Sequence, residues 1–133
     1  MLRLEIVTPE KRVLDAEADS VTVPTASGEA GILPNHAPLI SALKPGILAY
    51  SSKGTTDKLA VSAGFVEVNS DTVSVLVDTA ETAAEIDVDA AKTAREEAEK
   101  AITAAGLTHA DDSDIARQAL DHAQARLSLA AGK

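Results

Sequence analysis

Three histidines, His36, His109 and His122, are the side chains best suited to metal or proton chemistry, and none stands at a spacing that would use it. A zinc hydrolase needs two histidines one helical turn apart, as in H-E-x-x-H, and the chain has no cysteine to complete a thiolate site. His36 lies in Pro34-Asn35-His36-Ala37-Pro38, where two prolines stiffen the backbone. A histidine there is expected to hydrogen-bond the backbone of a tight loop. His109 and His122 read as solvent-facing polar positions. Gly28-Glu29-Ala30-Gly31 pairs two glycines, but no lysine follows and no strand-to-helix transition surrounds it. It matches neither a phosphate cradle nor a dinucleotide fingerprint, so backbone turning is its expected role. Ser27 lacks the G-x-S-x-G context of a serine hydrolase. Glu96, Glu97 and Glu99 read as a solvated helix face. No catalytic or metal-binding residue is assigned, and the chain is read as a non-enzyme.

Charge and composition narrow the partners. The chain has 133 residues, with 12 Lys plus Arg against 21 Asp plus Glu, a formal net charge of -9. Such a surface repels phosphate backbones and anionic lipid, so neither nucleic acid nor direct membrane insertion is expected. One Phe, one Tyr and no Trp leave no stacking platform for single strands. No apolar run approaches the roughly 20 residues that span a bilayer. Met1-Leu2-Arg3-Leu4-Glu5 carries an acid too early for a signal peptide. A soluble intracellular protein is the expectation.

The elements follow from periodicity, which changes near Asp78. All five prolines and five of the seven glycines precede it, among Val, Leu, Ile and Thr. Leu2, Leu4 and Ile6 alternate with Arg3, Glu5 and Val7; Val21 and Val23 alternate with Ser20 and Thr22. Val66 and Val68 flank Glu67, and Val73, Val75 and Val77 alternate with Thr72, Ser74 and Asp78. Period-2 alternation puts one set of side chains on a core face and the other toward water. Turn signals recur at Ser27-Gly28, Pro34-Asn35, Pro45-Gly46, Lys53-Gly54 and Asn69-Ser70-Asp71. Short strands so punctuated predict an antiparallel sandwich or barrel.

After Asp78 the chain has no proline, and alanine and charged residues dominate. Asp87 or Asp89 can cap a helix running to about Ala105, with Gly106 as its stop. Its stripe is Ala91, Ala94, Ala98, Ala101 and Ala105, widened by Ile102. Thr108–Ser113 reads as a polar connection, with Asp112 or Ser113 capping a second helix that ends near Ala130. The second stripe is Ala116, Ala119, Leu120, Ala123, Leu127 and Ala130. So short a loop makes the helices antiparallel. An alanine seam removes little apolar area from water, at about 25 cal/mol per Å². The residues alone leave open two outcomes: a hairpin that detaches at low cost, and a plain helical cap on the sandwich.

Gly28-Glu29-Ala30-Gly31-Ile32-Leu33-Pro34-Asn35-His36-Ala37-Pro38-Leu39 closely resembles the G-x-x-G-x-L-P-x-H-A-P-L signature of the epsilon subunit family of F-type ATP synthases. Leu43-Lys44-Pro45-Gly46 is similar to the family's next motif, L-x-x-G, and Ser62-Ala63-Gly64-Phe65-Val66-Glu67-Val68 to its S-G-G-F-x-E-V. Val73 through Ala80 resembles the strand that closes the family's sandwich, Ile86-Asp87 opens the helical tail, and Arg126-Leu127-Ser128 sits near the end as in many bacterial members. The resemblance implies an α+β chain: a ten-stranded antiparallel β-sandwich over 1–84, which binds the gamma subunit and the c-ring, then a mobile α-helical hairpin over 85–133. It implies a non-catalytic rotor-stalk subunit of a proton-translocating synthase, peripheral at the cytoplasmic face of the cell inner membrane. The hairpin is expected to move between a folded position and an extended one that reaches the beta and alpha subunits and blocks ATP hydrolysis.

Residues carry over one at a time. Glu29 takes the loop position that approaches the c-ring, with Gly28, Gly31 and His36 shaping that loop. Lys92, Arg95, Lys100, Arg117 and Arg126 are the candidate contacts to the beta subunits, each alternatively a surface cation paired along its helix, as Lys100 with Glu96. Some relatives bind ATP through an I/L-D-x-x-R-A motif. Here the run is Ile86-Asp87-Val88-Asp89-Ala90-Ala91, with Ala90 in the arginine's place. Losing that charge-assisted donor costs about 1.5–3 kcal/mol. ATP binding through Ile86, Asp87, Arg95 and Arg126 is therefore expected to be weak or absent, and no other cofactor is implied.

Overall fold

The computed structural model describes residues 1–105 and 110–132. Ten strands come first: β1 (Leu2–Val7), β2 (Arg12–Ala18), β3 (Ser20–Thr25), β4 (Gly28–Ile32), β5 (Leu39–Leu43), β6 (Gly46–Ser52), β7 (Thr55–Val61), β8 (Gly64–Asn69), β9 (Thr72–Val77) and β10 (Ala80–Glu81). A 3-10 turn, Ala83–Glu85, leads into α1 (Val88–Ala105) and α2 (Ala110–Ala131).

The strands lie in the order β10-β7-β6-β3-β5-β8-β9-β1-β2, with β4 paired to β3. All these pairings are antiparallel except β1 with β9, which run parallel with Leu4 opposite Val73 and Ile6 opposite Val75. The antiparallel sandwich expected from the sequence is present, with this one parallel pair within it: alternation fixes which face a side chain takes, not the direction of a partner far along the chain. Leu2, Leu4 and Ile6 share one core with Val21, Val23, Ile32, Leu43, Leu48, Val61, Val66, Val68, Val73 and Val75, all at most 3 % exposed. Strands at the middle and both ends of the order feed this cluster, so the sheet rolls over and packs its inner faces together.

The turn signals fall where the strands break. Lys53 and Gly54, both at positive φ (53° and 81°), join β6 to β7; Ser70 and Asp71 (52° and 62°) join β8 to β9. Two-residue loops with both residues in the left-handed region match the twist of a hairpin. The Asp19 carboxylate accepts the Lys53 N–H at 3.0 Å, fixing the first turn against β3. Gly64 has another reason to be glycine. A Cβ there would lie 2.0 Å from the Leu76 carbonyl oxygen and 2.8 Å from Val77 Cγ1. The preceding Ser62 hydroxyl accepts the N–H groups of Asp78 (2.9 Å) and Thr79 (3.1 Å), clamping the end of β9.

Asp87, not Asp89, caps α1: its carboxylate accepts the Ala90 N–H at 3.0 Å. Gly106, Thr108 and His109 lie outside the described residues. Ala110–Ser113 belongs to α2, so the second helix starts before the expected Asp112 or Ser113 cap. Ala91, Ala98, Ala116 and Ala123 are buried as the stripes predict, whereas Ala101 and Ala119 are exposed. The principal contact of α1 is with α2, and α2 is the helix that packs chiefly on β6 and β7.

Candidate functional site

Three surfaces are candidates. The first is the segment from β4 through the loop to β5. Gly28 has φ 123°, and the Thr25 hydroxyl donates to its carbonyl oxygen, so this glycine turns the β3–β4 connection. Glu29 and Gly31 are exposed residues within β4, opposite Pro24 and Thr22. The loop placement expected for Glu29 is thus corrected to a strand position just past a turn. A Cβ on Gly31 would meet nothing within 4 Å, so Gly31 neither turns the chain nor relieves crowding. His36 behaves as expected: its Nδ1 hydrogen-bonds the Ala37 carbonyl oxygen at 2.7 Å, while its N–H donates to Leu33 at 3.1 Å. Asn35 (φ 68°) donates its N–H to the Asp71 carboxylate at 2.7 Å, tying this loop to the β8–β9 turn.

The second surface lies on the outer face of β5, β8, β9 and β1. Phe65 sits between Ala42 and Leu76 in the ladder, and Leu76 opposite Val7. Phe65 is 59 % exposed, Leu76 52 % and nearby Ile40 72 %. Phe65 and Leu76 are cross-strand neighbours on the water-facing side and form an apolar surface of the kind that marks a protein interface, while Ile40 lies opposite Glu67. The sequence reading passed over this row. The signal was there, because Phe65 and Leu76 occupy outward positions of two clean alternations that would otherwise hold polar residues.

The third surface is the hairpin's seat. Ala125, Leu129 and Ala130 of α2 bury against Ala60 of β7 and Ile86, with Ile47 and Ala83 at the margin. Arg126 reaches β10: its Nε lies 2.8 Å from Glu81 Oε1, and its Nη2 donates to Oε2 at 3.3 Å. The Nε contact is Coulombic, since its N–H does not aim at a carboxylate oxygen and this buried atom has no hydrogen-bond partner. One turn earlier, His122 Nε2 lies 3.3 Å from the Thr79 hydroxyl. His122 is half-buried there, which corrects its expected solvent-facing position. Burial, and then the Arg126 charge, push its pKa down; the Glu81 charge pulls it up by less. At the 3-10 turn, the N–H and hydroxyl of Thr82 both donate to Glu85, at 2.9 and 3.0 Å, and hold that carboxyl below its ordinary value.

The candidate ATP and beta-subunit residues do not converge. Ile86 is core, Asp87 is a cap, and Arg126 is paired with Glu81. Arg95 pairs with Glu99 at 3.6 Å; among the described residues this, not Glu96 with Lys100, is the ion pair along α1. Lys92, Lys100 and Arg117 are exposed. Among the described residues no three His, Asp or Glu side chains gather as a metal would require. No described helix is long and apolar enough to cross a membrane.

Residues 1–83 match the family model of the ATP synthase delta/epsilon chain beta-sandwich domain. The ATP synthase epsilon chain of Desulfitobacterium hafniense (strain Y51) is 45 % identical over 129 residues, covering 96 % of this chain and 94 % of that one. The epsilon chain of Desulforamulus reducens is 52 % identical over 104 residues, 78 % of this chain and 79 % of that one. Among solved structures, a chain of the Euglena gracilis mitochondrial ATP synthase, described as OSCP/F1/c-ring in rotational state 1, superposes with a TM-score of 0.79 at 26 % identity, covering 98 % of this chain and 81 % of that one. The sandwich, its signature loop and the two following helices therefore have one reading: this chain belongs to the ATP synthase epsilon chain family.

Proposed function

We propose that this chain couples the gamma subunit to the c-ring in the rotor of a proton-translocating synthase and restrains ATP hydrolysis through its helical hairpin. It does so without catalysis, as a peripheral component at the cytoplasmic face of the cell inner membrane. The observation that carries the reading is how the molecule divides its contacts. The sandwich completes its own core and still leaves Ile40, Phe65 and Leu76 uncovered, whereas the hairpin is seated mainly through α2, with Ile86 beside it. Gamma takes the apolar row. The β3–β4 turn that presents Glu29 faces the c-ring, while the His36 and Asn35 bonds hold the loop at the other end of β4 in one shape. The hairpin unit, residues 85–133, swings out to the beta and alpha subunits. Lys92, Lys100 and Arg117 are exposed for that contact with the hairpin seated, and Arg95 and Arg126 join them once their partners let go.

The test is ATP hydrolysis by a catalytic head stripped of epsilon but retaining gamma, titrated with the full chain and with a chain truncated after Asp87. The full chain is expected to inhibit, and the truncated one to bind without inhibiting. Binding of both without inhibition would remove the brake from the function; binding of neither would remove the rotor role.

ATP sensing by the hairpin is the weaker reading. Ala90 offers no guanidinium, and Arg126 and Arg95 are each engaged by a carboxylate. Titration calorimetry on the full chain is expected to give no micromolar binding of ATP; a micromolar affinity would reverse this order.

A further inference from the structure

We propose that Thr79, Glu81, His122 and Arg126 form a proton-sensitive latch, which holds α2 on the sandwich while the His122 imidazole is uncharged. The proposal rests on the reading of the hairpin as a detachable element and assigns the groups that release it. Among the described residues, the Arg126–Glu81 and His122–Thr79 contacts are the side-chain hydrogen bonds and ion pairs that join the helices to the sandwich. Everything else in the seat is a small apolar cluster built largely of alanine.

The arrangement makes a charge on His122 unwelcome. His122 and Arg126 are four residues apart, which stacks them on one face of α2. An imidazolium would stand beside the guanidinium in a half-buried site. Glu81, whose charge acts on the imidazole, has both oxygens engaged by Arg126, and Asp78, the neighbour of Thr79, makes no hydrogen bond or ion pair to His122. The Thr79 hydroxyl bonds a neutral imidazole equally well, donating to a bare nitrogen or accepting from a protonated one. Arg126 on α2 and Glu81 on β10 are the charged groups that act on the imidazole; among the described residues α1, β6, β7 and the 3-10 turn contribute none.

The sign follows from linkage. The docked imidazole has a lower pKa than the ordinary 6.5 it regains when α2 lifts away, so the docked state binds fewer protons. The latch is at full strength above that ordinary value. It weakens as pH falls through it toward the depressed docked value. Mild acid therefore favours the released hairpin, and with it the braked state of the motor.

The absence of cysteine allows a clean test. Spin labels on Lys58→Cys and Gln124→Cys, both exposed positions, report the distance from sandwich to α2 in the full chain between about pH 8 and about pH 5. The released population is expected to rise severalfold over that range. In His122→Gln, which keeps a hydrogen-bonding side chain without the titration, it is expected to stay flat. Glu81→Gln and Arg126→Met are expected to raise it at every pH. If His122→Gln keeps the parental pH response, or if the two ion-pair variants release the hairpin while acid does not, the latch is refuted and the mobile hairpin stands. If neither acid nor any variant lengthens the distance, the hairpin is a fixed cap and both readings fall.

Discussion

The sandwich and the hairpin are built from different materials. The sandwich core is Leu, Ile and Val drawn from eight strands, each such side chain contributing about 1.5–3 kcal/mol when buried. The hairpin is joined internally by Ala91, Ala98, Ala116 and Ala123, and is seated on the sandwich by Ala125, Leu129, Ala130 and one half-buried ion pair. A buried methyl group contributes about 0.8 kcal/mol. One region is held by many large contributions, the other by a few small ones and two polar contacts. The difference supports a division of labour between a rigid platform and a movable arm.

The comparison is broken most severely at Gly64. Gly64→Ala drives a Cβ into the Leu76 carbonyl, where backbone must move, and is expected to cost on the order of 3 kcal/mol or more. Thermal unfolding should show the loss in the whole domain; a melting temperature within a degree or two of the parent would mean the strands slide apart freely. Leu129→Ala comes next, at about 2–3 kcal/mol. Hydrogen exchange is expected to report that loss as faster exchange in α2, with the amides of β1 and β9 unchanged. Equal acceleration in both regions would show that platform and arm unfold as one. The smallest effect belongs to Asp87→Ala, which removes the α1 cap for about 1 kcal/mol, while Asp87→Asn retains most of it. Circular dichroism is expected to show reduced helix content in the first variant only. Identical losses in both would mean that the carboxylate's charge matters more than its hydrogen bond.

Much of the sandwich was legible because its signals are local. Alternation chose the buried residues of β1, β3, β8 and β9, and Lys53-Gly54 and Ser70-Asp71 each mark a tight hairpin. The parallel pairing of β1 with β9 was not legible, because nothing in either strand encodes the other's direction. The helices were legible on the face they turn to each other and, Ala130 apart, not on the face α2 turns to the sandwich. Ala125 and Leu129 fall outside the single stripe traced along α2, and only the presence of β6 and β7 gives them a use. The candidate surfaces divide the same way. His36 was placed correctly from its two prolines, a neighbourhood written into the chain. Arg126 was read as a contact for a ligand or partner subunit, or as a cation paired along its own helix, since its actual partner Glu81 lies 45 residues away and no periodicity links them. Phe65 and Leu76 could have been found by asking why outward positions hold apolar residues.

The parallel pairing also governs how this protein comes off the ribosome. Arg3 finds its neighbour on β9 at Thr72, roughly 70 residues later. At about 5–20 residues per second, one edge of the opening strand waits about 4–14 seconds for its mate. β2 covers the other edge early, through a short connection. During that interval Leu2, Leu4 and Ile6 have no finished core to enter, so the nascent chain is most prone to sticking midway through synthesis, and a stalled product lacking β9 is a target for chaperones and proteases. The helices emerge after the strands but form from local contacts within microseconds. The arm is thus ready almost as soon as it is made, while the platform it rests on is the slow step in the birth of the subunit.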